Sequence, residues 1–577
     1  MKSSFVPFVI FMLILFGPVV SLGQALSPPD KNILEQDRSI TGEIIYDGDQ
    51  TAAVIVNLYK IAESSRGQSR RLSKTDIYGD IEPFEILKLD KQGPYKFDNL
   101  PEGNYSVVAF IDIDGNSKLG FDPPEPWGWY SEQSGGGIDA IDLEEKNEAA
   151  ADCLLRCPAP FPKEDRRTDH GALRWIKGLP VLQLWGTPRQ RGFAHGYLAA
   201  QQIIDFLEFY IIEDVWRSAR RYQETFVPFL ESRFHCPDEF IEECDAVVEG
   251  MMASGIDMKV KSLGRDFNRT DLLAINSYIE RRAASEAKTP SSCTQFAFWG
   301  KQTEGSELKG GLIAARNMDG ECDIRKVTVS HFLLYAVDPL RPDRKSWFSA
   351  MWPGFVGTIS GINEDGLFSM ENAGPTGPGP VVGGIVPCSY VQRYVLENAS
   401  ADATPESVLQ MMRLFKNEGG GITAPGSIIL WAVPYQDQKI PAFIYEGDRF
   451  GGAMRLPADV RPIDSTNIMA SNHHKVYGCD PLKPDYCFGR KVSGSTLNRY
   501  KTGMEMLENW SRQAQPLGLA EAKQLLQAVA HGSTEYSVIF KANEKRILVA
   551  VDDLKPDAWD APHLKWTEFQ FDELFKR

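Results

Sequence analysis

Ser291-Ser292-Cys293-Thr294-Gln295-Phe296-Ala297-Phe298 and, after a turn at Glu304-Gly305-Ser306, Gly310-Gly311-Leu312-Ile313-Ala314-Ala315-Arg316-Asn317-Met318-Asp319 decide how this chain is read. Both stretches have the texture of strands, and the turn between them closes a hairpin. That hairpin returns Arg316 and Asp319, at the end of the second strand, to the neighbourhood of Cys293 at the head of the first. A guanidinium beside a thiol favours the thiolate and pulls its pKa below the free value of about 8.5. A plain surface Arg–Asp pair, worth under about 1 kcal/mol, explains the same residues without chemistry. Most cysteines of exported chains are bridged or buried.

Outward from the hairpin, helix and strand patterns mix from about 165 to the C-terminus. Residues 190–222 and 238–253 carry apolar residues at helical spacing, with Ile203, Ile204, Leu207, Tyr210 and Ile211 on one face. Ser400 to Phe415 and Leu517 to Ala530 are further helices. Strands are expected at Thr294 to Trp299, Gly311 to Ala315, Val327 to Val337, Gly354 to Ile359 and Ile428 to Val433. A hairpin turning at Ala542-Asn543-Glu544 follows. No repeat period appears, and the content fits layers of helix against sheet.

Residues 38–145 have a different texture. Thr41–Tyr46, Ala53–Tyr59 and Tyr105–Ile111 are β-branched and aromatic runs separated by turn residues, which predicts a small all-β sandwich. Within it, Asp112-Ile113-Asp114-Gly115-Asn116 alternates oxygen ligands as a calcium loop does, but the twelfth position is Pro123 rather than a glutamate. An Asp-Gly-Asn turn accounts for the same residues without an ion. Residues 146–170, charged and rich in alanine and proline, read as a linker.

Residues 1–25 read as a secretory leader: Lys2, an apolar run from Phe5 to Phe16, then Pro18 and small residues up to Ala25. The run is short for a membrane span of about 20 residues, so no stable membrane anchor is expected. The destination is extracytoplasmic, secreted or periplasmic, where disulfides persist. Sequons at Asn104, Asn268, Asn398 and Asn509 matter only in a host that glycosylates. The 577 residues suit more than one domain. A net charge of −16 argues against nucleic acid or an anionic membrane as partner.

Cys-Thr heading one strand and Arg-Asn-x-Asp ending the next resemble the N-terminal-nucleophile hydrolases, in particular the isopenicillin-N acyltransferase family with the penicillin V and conjugated bile-acid hydrolases. Further segments are similar in order: Gly186 to Gly196, "G-x-x-x-x-R-G-x-x-x-G"; Gly361 to Asn372, "G-x-N-x-x-G-L" running to an asparagine; Ala470-Ser471-Asn472-His473-His474; and Ser495-Thr496-Leu497-Asn498-Arg499. Phe97 to Tyr105 resembles the "F-x-x-L-P-x-G-x-Y" hairpin of carboxypeptidase-regulatory-like domains. The likeness covers about 180–551. Ser471 stands where threonine is usual, and Gly320-Glu321 where an aromatic often follows.

The resemblance implies a four-layer αββα sandwich over 171–577, a helical pro-segment at 171–292 and a catalytic part at 293–577, made by cleavage between Ser292 and Cys293 and remaining associated. It implies Cys293 as nucleophile and, through its freed amine, as base. The amine's reference pKa of about 7.7–8.0 suits that role. Asp319 and Arg316 would orient the amine and favour the thiolate, Asn372 and Asn472 would donate to the oxyanion, and Arg499 would complete the cluster. The substrate would be a small amide or N-acyl compound, with no cofactor and no metal. Neither a His-Glu-x-x-His helix nor a Cys-x-x-Cys pair is present. A non-enzymatic surface or matrix protein, binding through the sandwich, is the other class, and it has no need for the set around Cys293.

Nine cysteines leave eight once Cys293 is set aside. If Cys236 to Cys244 is one helix, the two lie about 12 Å apart, too far to bridge. Cys479 with Cys487, and Cys153 with Cys157, are the candidate pairs. Trp299, Trp347, Trp352 and Phe355 line an acyl pocket or belong to the core; their spacing does not separate the two.

Overall fold

The computed structural model describes residues 37–61, 72, 77, 81–284, 292–320, 323–437, 439–461, 465–554 and 560–577. The leader, Cys322, Ser291 and the side chain of Ser292 lie outside the described residues.

Two large sheets form the body of this α+β chain. One has ten strands, running from Arg166–Thr168 through Gly171–Ile176, Leu179–Trp185, Leu333–Asp338, Trp347–Met351, Ser360–Asn363, Phe368–Ala373, Ser427–Ala432 and Ala442–Asp448 to Gly451–Arg455. The other has six, in the order Asn467–Ala470, Ser292–Phe298, Ile313–Asp319, Thr534–Lys541, Arg546–Val551 and Trp566–Gln570. The faces meet through apolar side chains: Phe540 of the six-stranded sheet lies 6.4 Å from Phe348 and 5.5 Å from Phe368 of the other, centroid to centroid. Strand alternation sends Phe296, Ile313, Ala315 and Ile539 to the opposite face, against Leu507, Trp510 and Leu525 of the helices Gly494–Arg512 and Leu519–Ala528. Helices Pro188–Asp205 and Cys388–Asn398 cover the outer face of the ten-stranded sheet. The layers therefore run helix, sheet, sheet, helix.

The segment 171–292 is not purely helical. Gly171–Ile176 and Leu179–Trp185 are strands of the large sheet, and the latter pairs in parallel with Leu333–Asp338. Reading helix from the apolar spacing after 190 misses them because alternation over six or seven residues is a weaker signal than a long helical period. The expected strand at Gly354 to Ile359 also fails. That stretch precedes Ser360–Asn363 as irregular chain, and Asn276 fixes it by hydrogen bonds to Gly354 O and Val356 N.

The glycines of the Arg-Gly-x-x-x-Gly segment have a packing role. A Cβ on Gly192 would stand 2.3 Å from Glu243 O, and one on Gly196 1.9 Å from Val247 O, so Pro188–Asp205 and Asp238–Ala253 pack backbone to backbone. Arg191 is buried there on Glu243 at 3.0 Å. His195 accepts from Gly354 N at 3.1 Å, and burial pulls its pKa down to about 3, so it is a neutral packing residue.

The described residues between 38 and 155 form two smaller sheets, one around Arg38–Ile45 and one around Ala53–Ile61 and Asn104–Asp112, whose inner faces share a core including Ile40, Phe97, Val56 and Val107. The stretch expected as linker is partly used by both units. Glu148–Ala150 and Cys153–Leu154 run parallel to Arg38–Ile45, and Arg166–Thr168 edges the large sheet. Arg156 and Arg325 join the units over buried Glu213, while Arg325 lies over Trp127 and Trp129. Among the described residues, no helix is long and apolar enough to cross a membrane.

Candidate active site

The Cys293 hairpin forms in register. Cys293 pairs with Met318 and Ser292 with Asp319, so the strand continues across the Ser292–Cys293 bond. Neighbouring strands bring in the remaining groups. Asn472 follows Asn467–Ala470, which pairs with the other edge of the Cys293 strand. Asn372 comes from Phe368–Ala373 in the facing sheet, and Arg499 from the first turns of Gly494–Arg512.

All six candidate residues converge. The Cys293 N–H donates to Asn472 Oδ1 at 2.7 Å, and Arg316 Nη2 lies 3.6 Å from Cys293 Sγ. Arg499 donates to Cys293 O at 2.5 Å, to Thr294 Oγ1 at 2.8 Å and to Asn472 Oδ1 at 2.9 Å. Asp319 accepts from Thr534 Oγ1 at 2.5 Å. Its other oxygen, 4.0 Å from Arg499 Nη1, is buried and receives no hydrogen bond among the described residues. None of the six is more than 8% exposed.

The two asparagines are not equivalent. Asn372 spends its amide on Ser471 O at 3.2 Å and Ala470 O at 3.4 Å, while its oxygen faces Arg316 Nε at 3.4 Å. Asn472 Nδ2 donates to Ala373 O at 2.9 Å, and a primary amide carries a second N–H. The geometry therefore gives Asn372 a positioning task and leaves donor capacity on Asn472.

Electrostatics also refine the expectation for the thiol. Burial pushes Cys293 above its ordinary value; Arg316 opposes this, Asp319 adds to it and Arg499 opposes it. In the intact chain burial outweighs the guanidiniums, so the expected net lowering is absent. Burial also raises Asp319 to about 6, against the pull of Arg499 and the Thr534 hydrogen bond.

Sequence reasoning missed Ser360 and Tyr536, which hold Arg316 Nη1 at 2.7 and 3.4 Å, and Thr534. Their only local signal is a polar residue inside an apolar strand. The tryptophans resolve toward core: Trp347 and Trp352 are fully buried, and Trp352 stacks on Phe206 at 5.6 Å. His473 and His474 point apart, toward Ser471 Oγ and Tyr477 O. In the small unit, Asp112, Asp114 and Glu125 bring carboxylate oxygens within 4.8 Å. Glu125, two residues beyond the position inspected in the sequence, accepts from Ile113 N at 2.6 Å and Gly120 N at 2.8 Å, and so staples the loop.

The proposed bridges do not appear. Cys153 and Cys157 are separate thiols, the former beside Ala151 O and the latter beside Pro124 O. Cys479 and Cys487 are also thiols, with sulfurs 3.2 Å apart.

No family model matches this chain, and no curated protein does. Among solved structures it is similar to a Caenorhabditis elegans ortholog of N-acylethanolamine-hydrolyzing acid amidase, at 15% identity and a TM-score of 0.30 over 44% of this chain and 93% of that one. It is similar to a variant of the conjugated bile acid hydrolase from Clostridium perfringens, at 11% identity and a TM-score of 0.30 over 49% and 94%. A third is penicillin V acylase from Agrobacterium tumefaciens, at 13% identity and a TM-score of 0.24 over 45% and 83%.

Proposed function

We propose that the chain is an exported, autoprocessing cysteine N-terminal-nucleophile hydrolase or acyltransferase acting on a small amide or N-acyl compound. The observation that carries this reading is the convergence of Arg316, Asp319, Asn472 and Arg499 on a buried cysteine in mid-strand.

In processing, Cys293 Sγ adds to the Ser292 carbonyl carbon. The Ser292–Cys293 C–N bond breaks, leaving a Ser292 thioester on Sγ and a free amine on Cys293. Water then hydrolyses the thioester, giving the Ser292 carboxylate and the free thiol. The unpaired Asp319 oxygen supports this reading, because it lacks the hydrogen-bond donor that a new ammonium would supply.

In turnover, the Cys293 amine takes the thiol proton, and the thiolate attacks the substrate carbonyl. The second N–H of Asn472 stabilises the oxyanion. The amine leaving group departs with the proton held on Cys293, and the thioester passes to water or to an amine acceptor. The strand pairing between Leu179–Trp185 and Leu333–Asp338 would keep the two pieces together after cleavage. The near-complete burial of the cluster fits a precursor that opens only once cut. Arg282, just ahead of the cleavage region, donates to Gly374 O at 3.1 Å, beside the end of the Asn372 strand.

Denaturing electrophoresis with N-terminal sequencing tests the proposal. A fragment beginning Cys-Thr-Gln-Phe is expected; an intact chain whose Cys293 also resists iodoacetamide would sink it and favour a binding protein. A screen of N-acyl amino acids, lactams and acyl-amines then identifies the substrate class.

A further inference from the structure

The chain between Asn472 and Arg499 leaves the body of the molecule as a small three-stranded ribbon, Cys479–Asp480, Lys483–Cys487 and Arg490–Lys491. Its tip is open to solvent: Leu482 is 89% exposed. Its root is fixed to the site. Cys479 Sγ lies 3.0 Å from His474 O and Cys487 Sγ 3.3 Å from the same oxygen. His474 is two residues from Asn472, and the Phe488 ring packs on the His474 ring at 5.9 Å. The N–H groups of Lys475, Val476 and Tyr477 all fall on Glu446, which is itself paired with buried Arg455 at 2.7 Å. Whatever holds the ribbon root therefore holds the segment carrying Asn472.

Cys479 and Cys487 are direct partners across the antiparallel ladder. Opposed residues of such a ladder have Cα atoms about 4.5–5.5 Å apart, inside the range of about 4.4–6.8 Å that a disulfide spans. Their sulfurs are already 3.2 Å apart, so closing the bond needs a small side-chain movement and no backbone rearrangement. The hydrogen bond between them makes Cys487 the easier of the two thiols to deprotonate and Cys479 the harder. Cys479 is partly accessible, whereas Cys487 is buried.

We infer that Cys479 and Cys487 are a modification site, oxidised to a disulfide that locks the ribbon root and with it the position of Asn472. The oxidant is a small-molecule disulfide. One cysteine thiolate displaces one thiolate from it to form a mixed disulfide; the second cysteine thiolate then attacks the protein sulfur and expels the other. Two protein thiols give up two electrons and two protons, and the reagent leaves as two thiols. The bond itself stands apart from the proposed function; its effect on turnover rests on that reading.

The full-length protein, equilibrated with oxidised glutathione, alkylated with iodoacetamide in denaturant without reduction and digested, is read by mass spectrometry. The expected product is an unalkylated peptide linking Cys479 to Cys487, lighter by two hydrogens, which gains two alkyl groups after dithiothreitol. Alkylation of both cysteines in the unreduced sample, or a link to any other cysteine, overturns the bond. For the positional effect, dithiothreitol is expected to slow turnover of the natural chain several-fold and to leave a C479A/C487A chain unaffected. A mapped bond whose reduction leaves turnover unchanged overturns the locking. A chain without turnover under any condition fails the proposed function, while the peptide map still decides the bond.

Discussion

Glu371 and Asn372 are neighbours in one strand, yet they face two different buried clusters, because successive side chains of a strand point to opposite faces. Asn372 looks between the sheets at Arg316 and the Cys293 site. Glu371 looks outward at Ser427 and Gln392, with Cys388 beside them and the Glu280 carboxylate accepting from Cys388 N at 2.8 Å. Each cluster holds a buried cysteine. Burial, and then the neighbouring acidic groups Glu371 and Glu280, raise the Cys388 thiol well above the ordinary range. Cys293 is buried too, but two guanidiniums offset part of the penalty. Burial of a thiol is thus common to both faces. What distinguishes the Cys293 face is the pair of guanidiniums, Arg316 and Arg499, set beside its thiol.

The largest expected contrast comes from the cysteines themselves. Cys293→Ala should abolish both cleavage and turnover, leaving one full-length band. Should cleavage persist in that variant, the nucleophile lies elsewhere and the two faces lose their distinction.

Next comes the proposed oxyanion donor, Asn472. Asn472→Ala should slow turnover by about 10²–10³-fold, the usual effect of losing one such donor. Asn372→Ala, whose amide is already occupied by backbone carbonyls, should act less on the rate with substrate bound and more on folding. Steady-state kinetics on purified variants separate the two, and equal rate losses would contradict the assignment.

A smaller effect is expected from pH. The folded value of Asp319, about 6, lies above its ordinary 3.8, so the folded chain retains a proton that the unfolded chain has released. The associated stability is present below about pH 4 and is lost as pH rises to about 6, amounting to roughly 3 kcal/mol at most. Urea unfolding of a Cys293→Ser chain should show this fall, and adding Asp319→Asn should remove it. An unchanged slope would place the carboxyl in a more polar setting.

The smallest effect belongs to the other face. Cys388→Ala should leave cleavage and turnover within about threefold and cost about 1 kcal/mol of stability, the size common for a single substitution. A loss comparable to that of Cys293→Ala would show that the carboxylate cluster takes part in catalysis.

Much of the site was legible because its logic is local. A turn at Glu304-Gly305-Ser306 between two strand-like runs already returns Arg316 and Asp319 toward Cys293, and the register does so with Ser292 opposite Asp319. The Arg-Gly-x-x-x-Gly segment was legible as a motif, but its reason, close contact of two helices at Gly192 and Gly196, belongs to a partner some fifty residues away. Ser360, Thr534 and Tyr536 gave no usable signal, since one polar residue in an apolar strand looks the same whether it faces a guanidinium or a carbonyl.

By itself, the sequence determined the hairpin, the order of the functional segments and the change of texture between the β-rich unit and the mixed body, all set by side-chain period and turn chemistry over a few residues. Only the tertiary structure decided that residues 171–185 complete the large sheet, that Asn372 is saturated while Asn472 keeps a donor, and that burial outweighs two guanidiniums at the thiol of the intact chain. Those outcomes depend on which distant groups meet, and on how much water their meeting excludes. No local pattern encodes either quantity.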